Sequence, residues 1–446
     1  MLSIIIILSI ALAIFLGYRT KINTGLFCIV FAYIIGCFVM GLKPKQIIGF
    51  WPTSTMFVIL SVSLFYNFAA INGTLEKMSG ALLYACRNFP GLLPYALFAV
   101  AVILSVMGAT FFTVLAFLAP ITLVICDESR MDKLTGAVAI NCGALAGGNF
   151  PTSNLGVVFR GLSDTAYEAS PEIAAVDSFN MEMKIFAFAI FFSLILITIF
   201  RFGFKENRNI GKGVTFKKPE SFTKDQKTTL TLMMAMMAVV LIFPLLNILM
   251  PGNAAVKYIS GKVDVGLVAI IFTVIALLLK LAPQKEAIAK VPWNTIIMIA
   301  GAGMLIAVAV EAGTIEALST WIGSNVPKPL VPIAFCLVGA IMSFFSSTTG
   351  VVAPALFPLI PNLAASVGLS APVLFACTIL GAQSSAISPF SSGGSLILGS
   401  TPKEEERNEL FNRLLMVAVP ISVITCTIYN FVIAMVRGCG QNSGLL

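Results

Sequence analysis

Residues 143–161 read GALAGGNFPTSNLGVVFRG, and residues 381–399 read GAQSSAISPFSSGGSLILG. Aligned at an offset of 238, they share Gly143/Gly381, Ala144/Ala382, Pro151/Pro389, Ser153/Ser391, Gly156/Gly394 and Gly161/Gly399. Both lie in apolar stretches long enough to cross a bilayer, yet Gly, Pro, Ser and Asn interrupt both. In lipid, irregular backbone is tolerated only where protein buries it or where it lines a wet cavity. The register runs back without a gap to Thr110/Thr348, Val114/Val352, Leu118/Leu356 and Pro120/Pro358. A second match, Gly73-Thr74-Leu75-Glu76 against Gly313-Thr314-Ile315-Glu316, lies at an offset of 240. The sequence therefore reads as a duplicated unit whose shared features are breaks in membrane helices.

Composition agrees. Of 446 residues, 58% are hydrophobic and 11% charged, with a mean hydropathy of +0.98. A soluble domain carries roughly 25% charged residues, so this is an all-α polytopic membrane protein. The chain has no histidine, which excludes a Ser-His-Asp triad, a zinc-His site, a haem axial His and a His proton relay. Nine cysteines occur without a CxxC pair and read as small apolar residues. The net charge of +8 follows from membrane topology and does not point to nucleic acid. Leu2 to Tyr18 lacks a basic leader and is expected to be a retained span, not a signal peptide.

A spanning helix needs about 20 apolar residues. The expected spans are 2–18, 23–42, 54–73, 134–163, 183–203, 229–250, 264–282, 294–312, 371–400 and 409–436. Segments 90–126 and 327–366 are too long for one crossing and carry small polar residues at their midpoints, so each is expected to be a re-entrant hairpin. Segments 74–88 and 314–326 read as short amphipathic helices leading into them. Lys/Arg-rich loops face the cytoplasm. Lys205, Arg208, Lys212, Lys217, Lys218, Lys224 and Lys227 place the central linker 204–227 inside. The loop 164–182, with Asp164, Glu168, Glu172, Asp177 and Glu182, then falls outside, and so do both termini. Five spans per half is an odd number, so the two halves are expected to lie inverted, a common plan for secondary transporters. The expected division is scaffold 1–88 and 228–326, and a transport domain of 89–203 and 327–446, joined by the linker 204–227. Gly136, Gly143, Gly147, Gly339 and Gly381 read equally as lining the surface on which that domain slides or as fixed, close helix contacts.

Four breaks could carry chemistry: the tips Gly108-Ala109-Thr110 and Ser346 to Gly350, and the unwound stretches 147–154 and 384–394. Half-helices that start at a break point unpaired N–H groups and a positive dipole end into the cavity. Hydroxyls of Thr110, Ser153, Ser347, Thr348, Ser391 and Ser392 add donors at the same depth. Such a site suits a carboxylate, and the unwound carbonyls suit Na+. Any one of these residues could equally serve helix packing. No acid falls in the middle of an expected span, so proton coupling has no evident carrier, and Na+ is the expected coupling ion. Arg160 is the one cation in a broken span, and it reads equally as a substrate ligand or as an interfacial Arg. An intramembrane enzyme would need a base beside its nucleophile, and none is visible.

The runs Ile71-Asn72-Gly73-Thr74, Gly143-Ala144-Leu145-Ala146-Gly147-Gly148, Ser346-Ser347-Thr348 and Ser388-Pro389-Phe390-Ser391-Ser392-Gly393-Gly394 resemble those of the malonate/dicarboxylate carriers, in the ion transporter superfamily that includes the divalent-anion/sodium symporters. The resemblance implies a homodimer in the cell (inner) membrane, an elevator motion, and a small dicarboxylate held between two hairpin tips with Na+ beside each. By position, Thr110, Ser153, Asn154, Ser347, Thr348, Ser391 and Ser392 would face substrate. Backbone near Gly108, Ala109, Asn149, Ser346 and Ser388 would hold Na+. Neither tip carries the Asn of the symporter Ser-Asn-Thr tips. A Na+/H+ antiporter or an oxyanion exporter of the same superfamily is the alternative.

Overall fold

The computed structural model describes residues 2–20, 22–85, 90–204, 207, 220–249, 253–260, 262–344, 347–401 and 404–438. Most of the basic linker, and Ser346 at the second tip, lie outside them. Every regular element among the described residues is helical. The first half runs α1 (Leu2–Thr20), α2 (Thr24–Tyr33), α3 (Pro44–Gly49), α4 (Thr53–Ile71), α5 (Thr74–Ala85), α6 (Leu93–Val106), α7 (Phe111–Ser129), α8 (Lys133–Gly148), α9 (Asn154–Glu168) and α10 (Ser178–Gly203). The second runs α11 (Lys224–Leu249), α12 (Ala254–Ser260), α13 (Val265–Leu278), α14 (Gln284–Ala289), α15 (Trp293–Glu311), α16 (Thr314–Asn325), α17 (Val331–Phe344), α18 (Thr348–Val367), α19 (Ala371–Ser384), α20 (Ser392–Gly399) and α21 (Glu404–Met435). Element lengths recur: α4 and α15 have 19 residues each, α5 and α16 have 12, and α6 and α17 have 14.

Local chemistry sets the helix starts. The side chains of Asn23, Thr110, Asp132, Asp177, Asp264 and Ser347 each accept a backbone N–H in the first turn of the helix that follows, satisfying donors that have no partner within the helix. Pro52 and Pro292 stand at the starts of α4 and α15, where their missing N–H is harmless.

Helix α6 packs on α8 and α17 on α19, while α2 pairs with α15 and α4 with α13. Each second half-helix reaches across to the other half, α20 against α7 and α9 against α18. At α8 and α19 the close approach depends on glycine. A Cβ at Gly143 would overlap Ala101 and the Phe98 carbonyl, and one at Gly381 would overlap the backbone of Cys336, 238 residues after Phe98. Gly136, Gly147 and Gly339 likewise face α7, α6 and α19. These five glycines therefore face neighbouring helices within residues 89–203 or within residues 327–446, in close packing and not on a sliding surface.

The outer surface suits lipid. Phe38, Phe202 and Leu278 are 72%, 74% and 76% exposed, among many other bare apolar side chains. Helices Ser178–Gly203, Thr348–Val367 and Glu404–Met435 are long and apolar enough to cross a membrane. The first of these corrects one expectation. Capping by Asp177 starts α10 before its apolar run, so Glu182 is not a loop acid but a fully buried residue of that helix.

Candidate functional site

The two hairpin tips and the two broken helices converge on one cavity of about 440 Å³. The first tip turns at Gly108, whose φ of +93° is open to glycine and which lies against the Tyr66 ring. The next residues start α7, with the Thr110 hydroxyl accepting from Thr113 N at 3.2 Å. The second tip starts α18 in the same way, Ser347 Oγ accepting from Gly350 N at 3.3 Å. Thr110, Ser347 and Thr348 all line the cavity, with Asn154 and Ser391 opposite.

The serines at the breaks behave differently. Ser153 and Ser391 stand at the starts of α9 and α20, yet neither side chain caps its own helix. Ser153 Oγ turns back to the carbonyls of Gly147 at 3.1 Å and Phe150 at 2.9 Å. Ser391 Oγ donates to Ala386 O at 2.5 Å and to Ser388 O at 2.8 Å. Buried carbonyls released by an unwound turn need donors, and these hydroxyls supply them. The first N–H groups of α9 and α20 therefore have no cap, and Asn154, Leu155 and Gly393 bring those ends to the cavity wall. Ser153 itself is fully buried and is not among the lining residues. Ser392 opens α20.

Of the residues expected to hold a cation through their backbone, Gly108 and Ala109 lie at the first tip, where their N–H groups bond Ser105 O and Leu104 O, each at 3.0 Å. The Ser388 carbonyl already accepts from Ser391 N and Oγ. The Asn149 side chain points to the opposite broken helix: its amide donates to Gln383 Oε1 at 3.0 Å, and the Gln383 amide returns a bond to Asn149 Oδ1 at 2.7 Å. This buried reciprocal pair ties the two breaks together.

Among the polar lining residues, Asn67, Thr113, Lys290 and Ser343 were not candidates from the sequence. Lys290, at the end of α14, is the one charged side chain among the described lining residues. Asn67 lines the same wall and donates to Ala287 O at 2.9 Å. A second cavity of about 510 Å³, lined by Arg160, Asp164, Glu168, Asp264 and Glu311, lies across α9 from the first: Val158 lines one and Val157 the other. Outside both cavities, Arg413–Asp132 at 2.7 Å and Lys133–Glu406 at 2.6 Å clamp the start of α8 to α21.

Two tips and two helix breaks that meet at one cavity carrying several hydroxyls, within a lipid-facing helical shell, form an arrangement suited to a membrane carrier. Comparison with known proteins agrees. Residues 1–148 match the family model of the dicarboxylate carrier protein MatC N-terminus, and residues 255–437 match that of the citrate transporter. Among solved structures, the fold is similar to the Alcanivorax borkumensis YdaH transporter, at 18% identity over 89% of this chain and 88% of that one, with a TM-score of 0.65. It is also similar to Neisseria gonorrhoeae MtrF, described with a class of antimetabolite efflux pumps, at 14% identity over 91% and 84% of the two chains, with a TM-score of 0.61. No curated protein sequence matches it. The protein is a carrier-type transporter of the membrane, similar to the dicarboxylate carriers in its N-terminal third and to citrate transporters in its C-terminal part.

Proposed function

We propose that this protein is a secondary carrier of a small dicarboxylate, coupled to Na+, working as a homodimer by an elevator motion. The observation that carries the reading is the cavity wall. It combines two uncapped half-helix starts, the hydroxyls of Thr110, Ser347 and Thr348, and the exposed Lys290, the one cation among the described lining residues. Uncapped N–H groups with the positive end of the helix dipole favour an anion, and Lys290 provides a charge for a second carboxylate. Na+ would sit beside each tip, against the backbone of Gly108, Ala109, Asn149, Ser346 and Ser388.

The recurrence of element lengths and of glycine contacts between the halves supports an inverted repeat. The Asn149–Gln383 pair and the α8–α21 ion pairs support the idea that residues 89–203 and 327–446 move as one body against the remaining spans. The orientation argued from charge places the linker in the cytoplasm and both termini outside the cell membrane. Uptake of labelled malonate and succinate by proteoliposomes, with and without an imposed Na+ gradient, tests the function. Accumulation that requires inward Na+ is expected; uptake unaffected by Na+ would remove the coupling, and no uptake of either acid would remove the substrate class.

A further inference from the structure

Glu182 lies in the second turn of α10, with its side chain fully buried and neither carboxylate oxygen bonded to any described residue. A lone ionised carboxylate at such a place is unfavourable by several kcal/mol, whereas a neutral acid is tolerated. The charge that acts on it is Arg160 of α9, but Arg160 is not spent on it. Its Nη1 donates to Pro151 O at 3.1 Å, its Nε is buried without a partner, and its guanidinium lies 5.3 Å from the Phe179 ring centroid. Arg160 also feels Asp164 on its own helix, Asp177 at the cap of α10 and Asp264 at the cap of α13. Asp164 and Asp264 line the 510 Å³ cavity with it.

Among the described residues no charge other than Arg160 acts on Glu182, and farther along α10 the neighbours are uncharged. Helices α6, α8, α19 and α21 present Tyr95, Cys142, Cys377 and Tyr429 to α10. Lys133, at the start of α8, is already paired with Asp127 and Glu406. On α10 itself Lys184 is exposed, and Arg201 lies in the last turn.

We propose that Glu182 is a proton-binding site beside the cavity that Arg160 lines, and that its protonation decides which acids hold Arg160. A proton taken from cavity water neutralises Glu182 and leaves Arg160 to Asp164 and Asp264. Loss of that proton leaves an anion that draws Arg160 toward α10. Because Arg160 is bonded to the Pro151 carbonyl, the change is delivered to the break between α8 and α9, which borders the dicarboxylate cavity.

Infrared titration of the purified protein in lipid, in H2O and D2O, tests the site without any substrate, so its outcome is independent of the carrier reading. The wild type is expected to show a deuterium-sensitive carboxyl C=O band that disappears on raising the pH. Glu182→Gln should remove that band, Asp164→Asn should keep it, and Glu182→Asp should keep it at a changed frequency. No such band in the wild type at any pH at which the protein stays folded would overturn the proposal. So would an undiminished band in Glu182→Gln. If Glu182→Gln does not fold, the band in Glu182→Asp decides: an unshifted band assigns the proton elsewhere.

Discussion

Replacing Gln383 by Leu tests whether the two broken helices act as one unit. The change installs the residue that stands at the equivalent position of the first half, Leu145, so the shape is one this fold already packs. It removes both amide bonds to Asn149, at 3.0 and 2.7 Å, and strands a fully buried amide. A stranded buried donor or acceptor is destabilising by about 1–3 kcal/mol, so each single variant, Gln383→Leu or Asn149→Leu, should lose stability in that range. The double variant strands nothing. Polar contacts between membrane helices average about 0.6 kcal/mol each, so the two bonds should give a coupling energy of about 1.2 kcal/mol, roughly eightfold in an equilibrium constant. Unfolding in mixed micelles, measured for the wild type, both singles and the double, yields that coupling directly. Additivity within about 0.3 kcal/mol would show that the pair transmits nothing between the breaks.

Further outcomes follow from the same geometry. Lys290→Gln removes the one charge among the described lining residues, so affinity for malonate should fall by about tenfold, as loss of a charge-assisted bond implies, while a monocarboxylate such as acetate changes little. An equal loss for both would make Lys290 a general electrostatic contributor and not a second carboxylate partner. Asn154 of α9 and Ser63 of α4 lie 3.4 Å apart across the two proposed bodies. With cysteines at these positions, in a background without the native ones, the reduced protein should keep part of its transport, Asn154 being a cavity residue, and should lose the rest reversibly on oxidation. Full-rate transport by the crosslinked protein would rule out sliding.

Much of this architecture was legible in the sequence because lipid leaves few options. Pro151, Pro389 and the neighbouring Gly and Ser residues break apolar runs, and the breaks lie where those residues predicted. The expected amphipathic segments 74–88 and 314–326 correspond to α5 (Thr74–Ala85) and α16 (Thr314–Asn325), with 86–88 outside the described residues. Other features depend on what lies across the contact. Gly143 and Gly381 were equally compatible with sliding or tight packing until Phe98 and Cys336 were seen against them. Ser153 and Ser391 counted as ligand donors, but the carbonyls of their own broken turns take those hydroxyls. Glu182 escaped because hydropathy starts a helix at the first apolar residue, whereas Asp177 starts this one earlier. Lys290 lies between apolar spans, and a loop lysine carries no sequence signal of which cavity its loop borders. Gln383, a polar residue deep in an apolar run, is a sequence signal for a buried polar partner, which Asn149 supplies.

The central claim is that the cavity between the tips binds a dicarboxylate, and calorimetric titration of malonate into the purified protein tests it most directly. Saturable binding that tightens with Na+ is expected. In the folded Ser347→Ala/Thr348→Ala variant, the loss of two hydroxyl donors should weaken it by about 1–3 kcal/mol per donor. Malonate binding of unchanged affinity in that variant would contradict the account and return Ser347 and Thr348 to helix packing.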